Sequence, residues 1–307
     1  MIITQTPLRI SFVGGGTDIA EFYQNYGGAV ISTAINKYVY VIVKERFDEM
    51  IYLNWMKKEI VSRVDDIEHE LIREAMKKTG VIKGVEITTL SDIPAEGSGL
   101  GSSSSVTVSL LQALYQYKGE IVDAERLASE ACQIEIEILK KPIGKQDQYI
   151  AAYGGLKHFS FHQNGQVTVS RPNISDEVIN ELNQKLLLFF TGKTRKSSEV
   201  LTEQKKKMID KSAIMQRMRD QSYEVLSALE KGHVAFLGKA LDEGWQLKKQ
   251  LAGGISSPEI DLMYKRSKRA GALGGKIAGA GGGGFLLLYV PLEKQTAVRA
   301  ALKNYRE

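Results

Sequence analysis

The chain has 307 residues, 43% of them hydrophobic and 25% charged, with a formal net charge of +5. That length is long for one core and comfortable for two domains of ~150 residues each, and the balance is that of an ordinary globular protein. Apolar runs such as 186–190 and 285–290 are far shorter than the ~20 residues of a membrane helix, and the first residues carry no basic segment followed by an apolar core, so a cytoplasmic protein is expected.

Apolar alternation around Ile10 and Phe12 opens the chain as sheet and leads into Gly14-Gly15-Gly16-Thr17-Asp18. Glycines there let the backbone come close to a ligand, and the Asp18 carboxylate can accept two hydroxyl donors. Asp18 equally suits an Asx turn or the N-cap of a helix over 19–26. A strong strand signal follows over 29–43, with Val39, Val41 and Val43 on one face. Helical spacing recurs at 64–78, 102–118 and 123–140, the last beginning at the capping residue Asp123 and ending before Pro142. Cys132, the only cysteine, excludes an intramolecular disulfide and a cysteine-based zinc site, and reads as a small buried residue on that helix.

A short apolar strand (Val85, Ile87, Leu90) runs into Gly97, Gly99, Gly101 and serines 102–105, and Val106, Leu110 and Leu114 then recur every four residues. This is strand, glycine loop, helix start. Such a turn exposes the unpaired N–H groups of the first helical turn and a macrodipole of roughly half a positive charge. It can cradle phosphate. A flexible serine-rich linker is the alternative, although linkers are not flanked so closely by strand and helix.

Beyond Pro142, Lys145-Gln146-Asp147-Gln148 reads as a loop able to lower a carboxylate into a cleft. Strands at 156–161 and 166–171, split by Asn164-Gly165, make a hairpin. The expected domains are 1–172 and 173–307. The second half reads as a strand at 185–191, helical stretches over 197–231, 233–251 and 258–270, a third glycine-rich segment at 276–285, a strand at 285–290 and a final helix. The basic run from Lys205 to Lys211 includes Met208 and Ile209 and reads as a solvated helix face. An anionic substrate accounts for the positive charge as well as nucleic acid would, and no nucleic-acid-binding motif occurs.

Two common glycine loops are excluded by spacing. A Walker loop needs lysine after its last glycine, and Gly101 is followed by serine, while Gly192-Lys193-Thr194 has Leu187 where the first glycine belongs. Gly279, Gly281 and Gly284 spell a dinucleotide fingerprint, but a strand follows where a helix is required, and no acidic residue stands at the ribose distance.

The three glycine-rich segments together resemble the GHMP small-molecule kinases, a family that includes galactokinase, homoserine kinase, mevalonate kinase and phosphomevalonate kinase. Its second motif, Pro-x3-Gly-Leu-Gly-Ser-Ser, is matched by Gly99-Leu100-Gly101-Ser102-Ser103, with Pro94 one residue further upstream than usual. The resemblance spans 7 to 285. Thr17-Asp18, Gln146-Asp147-Gln148 and the segment 191–195 look most like the branch that phosphorylates the anomeric hydroxyl of sugars, meaning L-fucokinases and above all the D-glycero-D-manno-heptose 7-phosphate kinases. The resemblance implies an α+β fold in which a ribosomal-protein-like N-terminal domain with a left-handed crossover joins a ferredoxin-like C-terminal domain, the active site lying in the cleft. It also implies ATP and Mg²⁺ as cofactors, a sugar phosphate as partner, no nucleic acid or membrane, and a monomer or homodimer.

Residue by residue, the resemblance gives the triphosphate to Gly97, Gly99, Leu100, Gly101, Ser102, Ser103 and Ser104, and the metal to Ser103, with Ser102 close behind. The second metal ligand is Glu135, seven residues before Pro142. One carboxylate, one hydroxyl and phosphates suffice for Mg²⁺, which keeps waters. Asp147 becomes the catalytic base for an anomeric hydroxyl, which is more acidic than an ordinary alcohol. Arg9 stands beside it, countering charge on the transferred group. Asp18, with Thr17 and Gly16, grips sugar hydroxyls, and Gly279, Gly281 and Gly282 close over the ligand. Arg195 is the candidate for a distal phosphate, with Lys193, Lys196, Lys145 and Arg171 also available. Plainer roles stay open: a solvent-facing helix glutamate for Glu135, a surface arginine for Arg9, a tight turn for 279–284. A neutral sugar also stays open as substrate, as does a catalytically silent sugar- and nucleotide-binding regulator.

Overall fold

The computed structural model describes residues 1–93, 97–195 and 197–307, so Pro94 and Lys196 lie outside the described residues. In chain order it has β1 (Ile2–Val13), α1 (Ala20–Tyr26), β2 (Gly28–Glu45), β3 (Ile51–Asn54), β4 (Lys58–Val61), a 3-10 turn (Val64–Asp66), α2 (Glu70–Thr79) and β5 (Val85–Ser91). Next come α3 (Ser102–Tyr117), α4 (Ala124–Cys132), a π-helix (Gln133–Ile138), α5 (Gln146–Tyr153), β6 (Leu156–Phe161) and β7 (Val167–Ser170). The chain ends with α6 (Asp176–Lys185), β8 (Leu186–Phe190), α7 (Ser197–Lys206), α8 (Ser212–Glu230), α9 (Ala235–Lys249), α10 (Pro258–Arg269), β9 (Gly274–Ile277), β10 (Phe285–Tyr289) and α11 (Gln295–Ala301). No helix of the described residues is long and apolar enough to cross a membrane.

Two compact units emerge. The first comprises Met1–Arg9, Ala34–Ala95 and Gly101–Gly155, the second Ile10–Thr33, Glu96–Leu100 and Leu156–Glu307. In the first, strands lie in the order β4-β3-β5-β2, with β3 and β5 parallel and the other pairs antiparallel. Val39, Val41, Val43, Val85 and Ile87 are all buried, as the period of two requires for one covered face. Helices α2, α4 and α5 all pack against α3, which is buried almost all round. Because α3 carries hydroxyls where a core helix normally carries methyls, each must find an acceptor. Ser105 donates to Pro7 O at 2.9 Å, and Ser109 shares a 2.8 Å hydrogen bond with Thr4.

The second unit holds the β6–β7 hairpin, with β6 paired to the start of β2, and a separate antiparallel sheet in the order β8-β10-β9. Its core gathers Trp245, Phe189, Leu286, Leu288, Met215 and Ile255.

Several helices differ from their sequence reading. The stretch expected as a helix over 64–78 begins as a 3-10 turn, and the α-helix starts only after His69, whose Nδ1 accepts from Ile72 N at 3.3 Å. The stretch 197–231 is two helices separated by turns at 207–211. The helix over 123–140 leaves α geometry at Gln133, where Gln-Ile-Glu-Ile-Glu-Ile alternates with period two and cannot keep one apolar face at 3.6 residues per turn. A widened turn results, with Leu139 N bonded to Ile134 O at 2.9 Å. Residues 146–148, read as loop, form the first turn of α5.

Candidate active site

In the first unit, the first turn of α3 emerges from Gly101, whose φ of +78° is left-handed. Ser102 and Ser104 are buried there and Ser103 is exposed. Facing this turn is Glu135, fully buried because the π-helix swings it inward together with Ile134, while Ile138 is left 51% exposed. Glu135 Oε2 accepts from Ser104 Oγ at 2.8 Å and Gln148 Nε2 at 2.8 Å; Oε1 accepts from Thr107 Oγ1 at 2.6 Å and faces Ser103 Oγ at 3.4 Å. Burial pushes this carboxyl up, and the Lys141 ammonium and the hydroxyl and amide donors pull against it. A cation beside it would favour its charged form.

Arg9, from β1, is 5% exposed and meets Asp147 edge to edge: Nε donates to Oδ1 at 2.7 Å and Nη2 to Oδ2 at 2.5 Å. The fork fixes the carboxylate plane. Asp147 stands in the first turn of α5, where a negative charge is favoured by the helix dipole. Its side chain keeps 23% of its surface accessible, so a hydroxyl can reach it. Arg9 also packs under the loop, since a methyl group added at Gly101 would stand 3.0 Å from Arg9 Cγ.

In the second unit, Thr17 is fully buried and committed to main chain: its hydroxyl donates to Gly14 O at 2.8 Å and accepts from Ala29 N at 3.1 Å. Asp18 is 2% exposed, and its Oδ1 accepts from Gly16 N at 3.0 Å. The expected helix cap falls instead on Ile19, one residue later, because Asp18 turns back to the glycine loop. Gly16 lies against Gln204 of α7. The third glycine segment is held by its backbone, with Gly282 N bonded to Ile255 O and Gly284 N to Lys193 O, both at 2.8 Å. It packs directly on the second motif, since a methyl group at Gly99 would stand 2.4 Å from Ala278 O, and one at Gly279 2.7 Å from Gly99 Cα. Gly97 lies similarly against Thr194 and Arg195, and Gly281 against Ile255.

The structure thus gathers Arg9, Asp147, Gly101, Ser102, Ser103, Ser104 and Glu135 in the first unit. In the second it gathers Gly97, Gly99, Leu100, Gly279, Gly281, Gly282 and Arg195. The cations expected to be available for a distal phosphate are partly engaged: Arg195 donates to Gly254 O at 3.1 Å, and Lys193 pairs with Glu259 at 3.2 Å. Sequence reasoning missed Thr107, Gln148 and Lys141 around Glu135. It also missed two buried lysines, Lys248 donating to Gly279 O and Lys276 donating to Ser11 O at 2.9 Å. No sequence signal marks those lysines, since the main-chain carbonyls that accept from them have no side-chain signature.

The donor set fits Mg²⁺. Ser103 Oγ and Glu135 Oε1 are hard oxygens 3.4 Å apart. Neighbouring ligands of an octahedral ion with bonds of about 2.1 Å stand about 3 Å apart, close to that separation.

Two family models match the chain, the GHMP kinases N terminal domain over residues 64–155 and the GHMP kinases C terminal domain over 225–307. The chain is 30% identical to a D-glycero-alpha-D-manno-heptose 7-phosphate kinase of Campylobacter jejuni, over 99% of this chain and 94% of that one. It is 28% identical to the crystal structure of a D-glycero-D-manno-heptose 1-phosphate kinase from Bacteroides thetaiotaomicron, with a TM-score of 0.82, over 99% of this chain and 93% of that one. A bifunctional fucokinase/GDP-fucose pyrophosphorylase of Arabidopsis thaliana is 26% identical over 99% of this chain and 31% of its own length.

Proposed function

The chain belongs to the GHMP kinase family, and from that premise we propose that it transfers the γ-phosphoryl group of ATP to the anomeric C1 hydroxyl of D-glycero-D-manno-heptose 7-phosphate, giving the 1,7-bisphosphate and ADP. It is a sugar kinase close to the heptose phosphate kinases. The single observation that carries the chemistry is the forked Arg9–Asp147 pair beside the first turn of α3.

Asp147 takes the hydroxyl proton as the C1 oxygen bonds to phosphorus and the bond from phosphorus to the ADP oxygen breaks. Arg9 holds the carboxylate plane and keeps a positive charge beside the transferred group. Gly97, Gly99, Leu100, Gly101, Ser102 and Ser104 are the residues proposed for the triphosphate, through main-chain N–H groups, the Ser104 hydroxyl being committed to Glu135; Ser103 and Glu135 would hold Mg²⁺. When bound, Mg²⁺ neutralises phosphate oxygens. Asp18 positions the sugar hydroxyls in this reading, with Gly16 and Thr17 shaping the loop and Gly279, Gly281 and Gly282 approaching by backbone alone. Arg195 is the residue proposed for the distal phosphate.

A second reading, a kinase of a neutral sugar such as fucose, is favoured by one observation: Lys193 and Arg195 already have protein partners. The deciding experiment is ADP release with D-glycero-D-manno-heptose 7-phosphate, the dephosphorylated heptose, sedoheptulose 7-phosphate, fucose, galactose and mevalonate, with the product's phosphate located by phosphorus NMR. Heptose 7-phosphate is expected to be turned over fastest and to give an anomeric phosphate. A faster rate with fucose, or equal kcat/KM for the heptose and its 7-phosphate, overturns the substrate. No ADP release with any of them leaves the silent regulator.

A further inference from the structure

Lys141 stands apart from the Arg9–Asp147 pair, yet the fold aims it at the α3 first turn. The π-helix is closed by Lys141 N bonding to Glu135 O at 2.9 Å, and the preceding Lys140 takes a φ of +53°, the one left-handed conformation of a residue other than glycine among the described residues. That conformation is unfavourable for a side-chain-bearing residue. Its effect is to turn the chain back, so that Lys141 Nζ stands 3.3 Å from Ser103 Oγ and 2.9 Å from Glu70 Oε1. An ammonium has three N–H donors, and among the described residues two have acceptors, leaving a third on a side chain that keeps 23% of its surface accessible.

The accessible side of the turn also favours an anion, since Glu135, the carboxylate facing the turn, is fully buried. The first turn of α3 contains no acidic residue, its macrodipole end is positive, and Lys141 adds a full positive charge beside it. Lys141 is drawn to Glu70, which is half exposed so that the pair gains little in water, and through space to the buried Glu135 carboxyl.

We propose that Lys141 binds a phosphate oxygen of the nucleotide beside the metal position, with Glu70 and the Lys140 turn holding its ammonium over Ser103. The proposal rests on the reading of α3 as the triphosphate site. Without nucleotide, Lys141 hydrogen-bonds the Ser103 hydroxyl. With nucleotide it gives its remaining donor to the phosphate, so that charge on the triphosphate is met by the metal on one side and by an ammonium on the other.

The test is calorimetric binding of Mg-ATP and of adenosine to the full chain, in the wild type, K141M and K141R. K141M is expected to bind Mg-ATP at least tenfold more weakly, the loss of one charge-assisted hydrogen bond, and adenosine unchanged. K141R, which keeps the charge, should recover part of the loss. The salt dependence of Mg-ATP binding should become shallower in K141M alone. Should K141M not fold, K141Q is measured in its place. Wild-type affinity for Mg-ATP in the neutral variant, or equal losses for Mg-ATP and adenosine, overturns Lys141 as a phosphate ligand. Failure of the wild type to bind Mg-ATP at all overturns the nucleotide reading as well.

Discussion

Gln148 donates its side-chain amide to Glu135 at 2.8 Å, while its chain neighbour Asp147 receives the fork of Arg9. Consecutive residues of one helical turn therefore set both the carboxylate proposed to take the acceptor's proton and the carboxylate proposed to meet the metal, so a shift in one is passed to the other. Replacing Gln148 by leucine removes a donor from a fully buried carboxylate. Stability should fall by about 1–3 kcal/mol and the Mg²⁺ needed for half-maximal activity should rise. Urea unfolding and a metal titration check this, and wild-type values in both would break the proposed linkage.

For the base itself, D147N is expected to lower kcat by roughly 10²–10⁴-fold while leaving the affinity for a non-hydrolysable ATP analogue close to wild type. Steady-state kinetics beside analogue binding measure both. More than about a third of wild-type turnover in the variant would take Asp147 out of the chemistry.

The two proposed metal donors should act together. S103A and E135Q are each expected to raise the Mg²⁺ requirement, and the double variant should cost less than the sum of the singles because both act on one ion. If the metal titrations of the single variants overlay that of the wild type, Ser103 and Glu135 do not hold the ion.

Acidification should loosen the fold through two histidines. His158, 4% exposed in β6 beside Tyr223, and His69, the cap of α2, are both lowered by burial below the usual imidazole value. The unfolded chain protonates near pH ~6.5 and the folded chain only below it. Stability is therefore complete above that pH and is lost as pH falls towards the folded values, by at most ~1.4 kcal/mol per pH unit for each histidine. H158Q should flatten the dependence of the urea midpoint between pH 7 and 5. An unchanged slope would show that His158 does not titrate on unfolding.

How far these features could be read in advance depends on where their partners lie. Helix α3 was legible because Val106, Leu110 and Leu114 repeat at helix spacing directly after a glycine loop, and β2 because its valines alternate. The first turn of α5 reads as loop in the sequence because Pro142 and Gly144 interrupt the pattern just before it. Glu135 offered a helix glutamate beside Glu137 as its plainest description, since the widened turn that buries it depends on Thr107, Ser104 and Gln148 being there to receive it. Lys276 was beyond reach: Ser11 O and Phe12 O, which accept from it, are 265 and 264 residues away and carry no side-chain signature.

The mutual contact of Gly99 and Gly279 changes what glycine richness means in this chain. A side chain at Gly279 would run into Gly99, and one at Gly99 into the carbonyl of Ala278, so the two segments are cast against one another like a mould and its impression. The glycines of the later segment need not touch any ligand to be required. Anyone reshaping the earlier loop to admit a different triphosphate or a bulkier acceptor faces a problem of two segments, because a side chain placed in one must be matched by a withdrawal of backbone in the other.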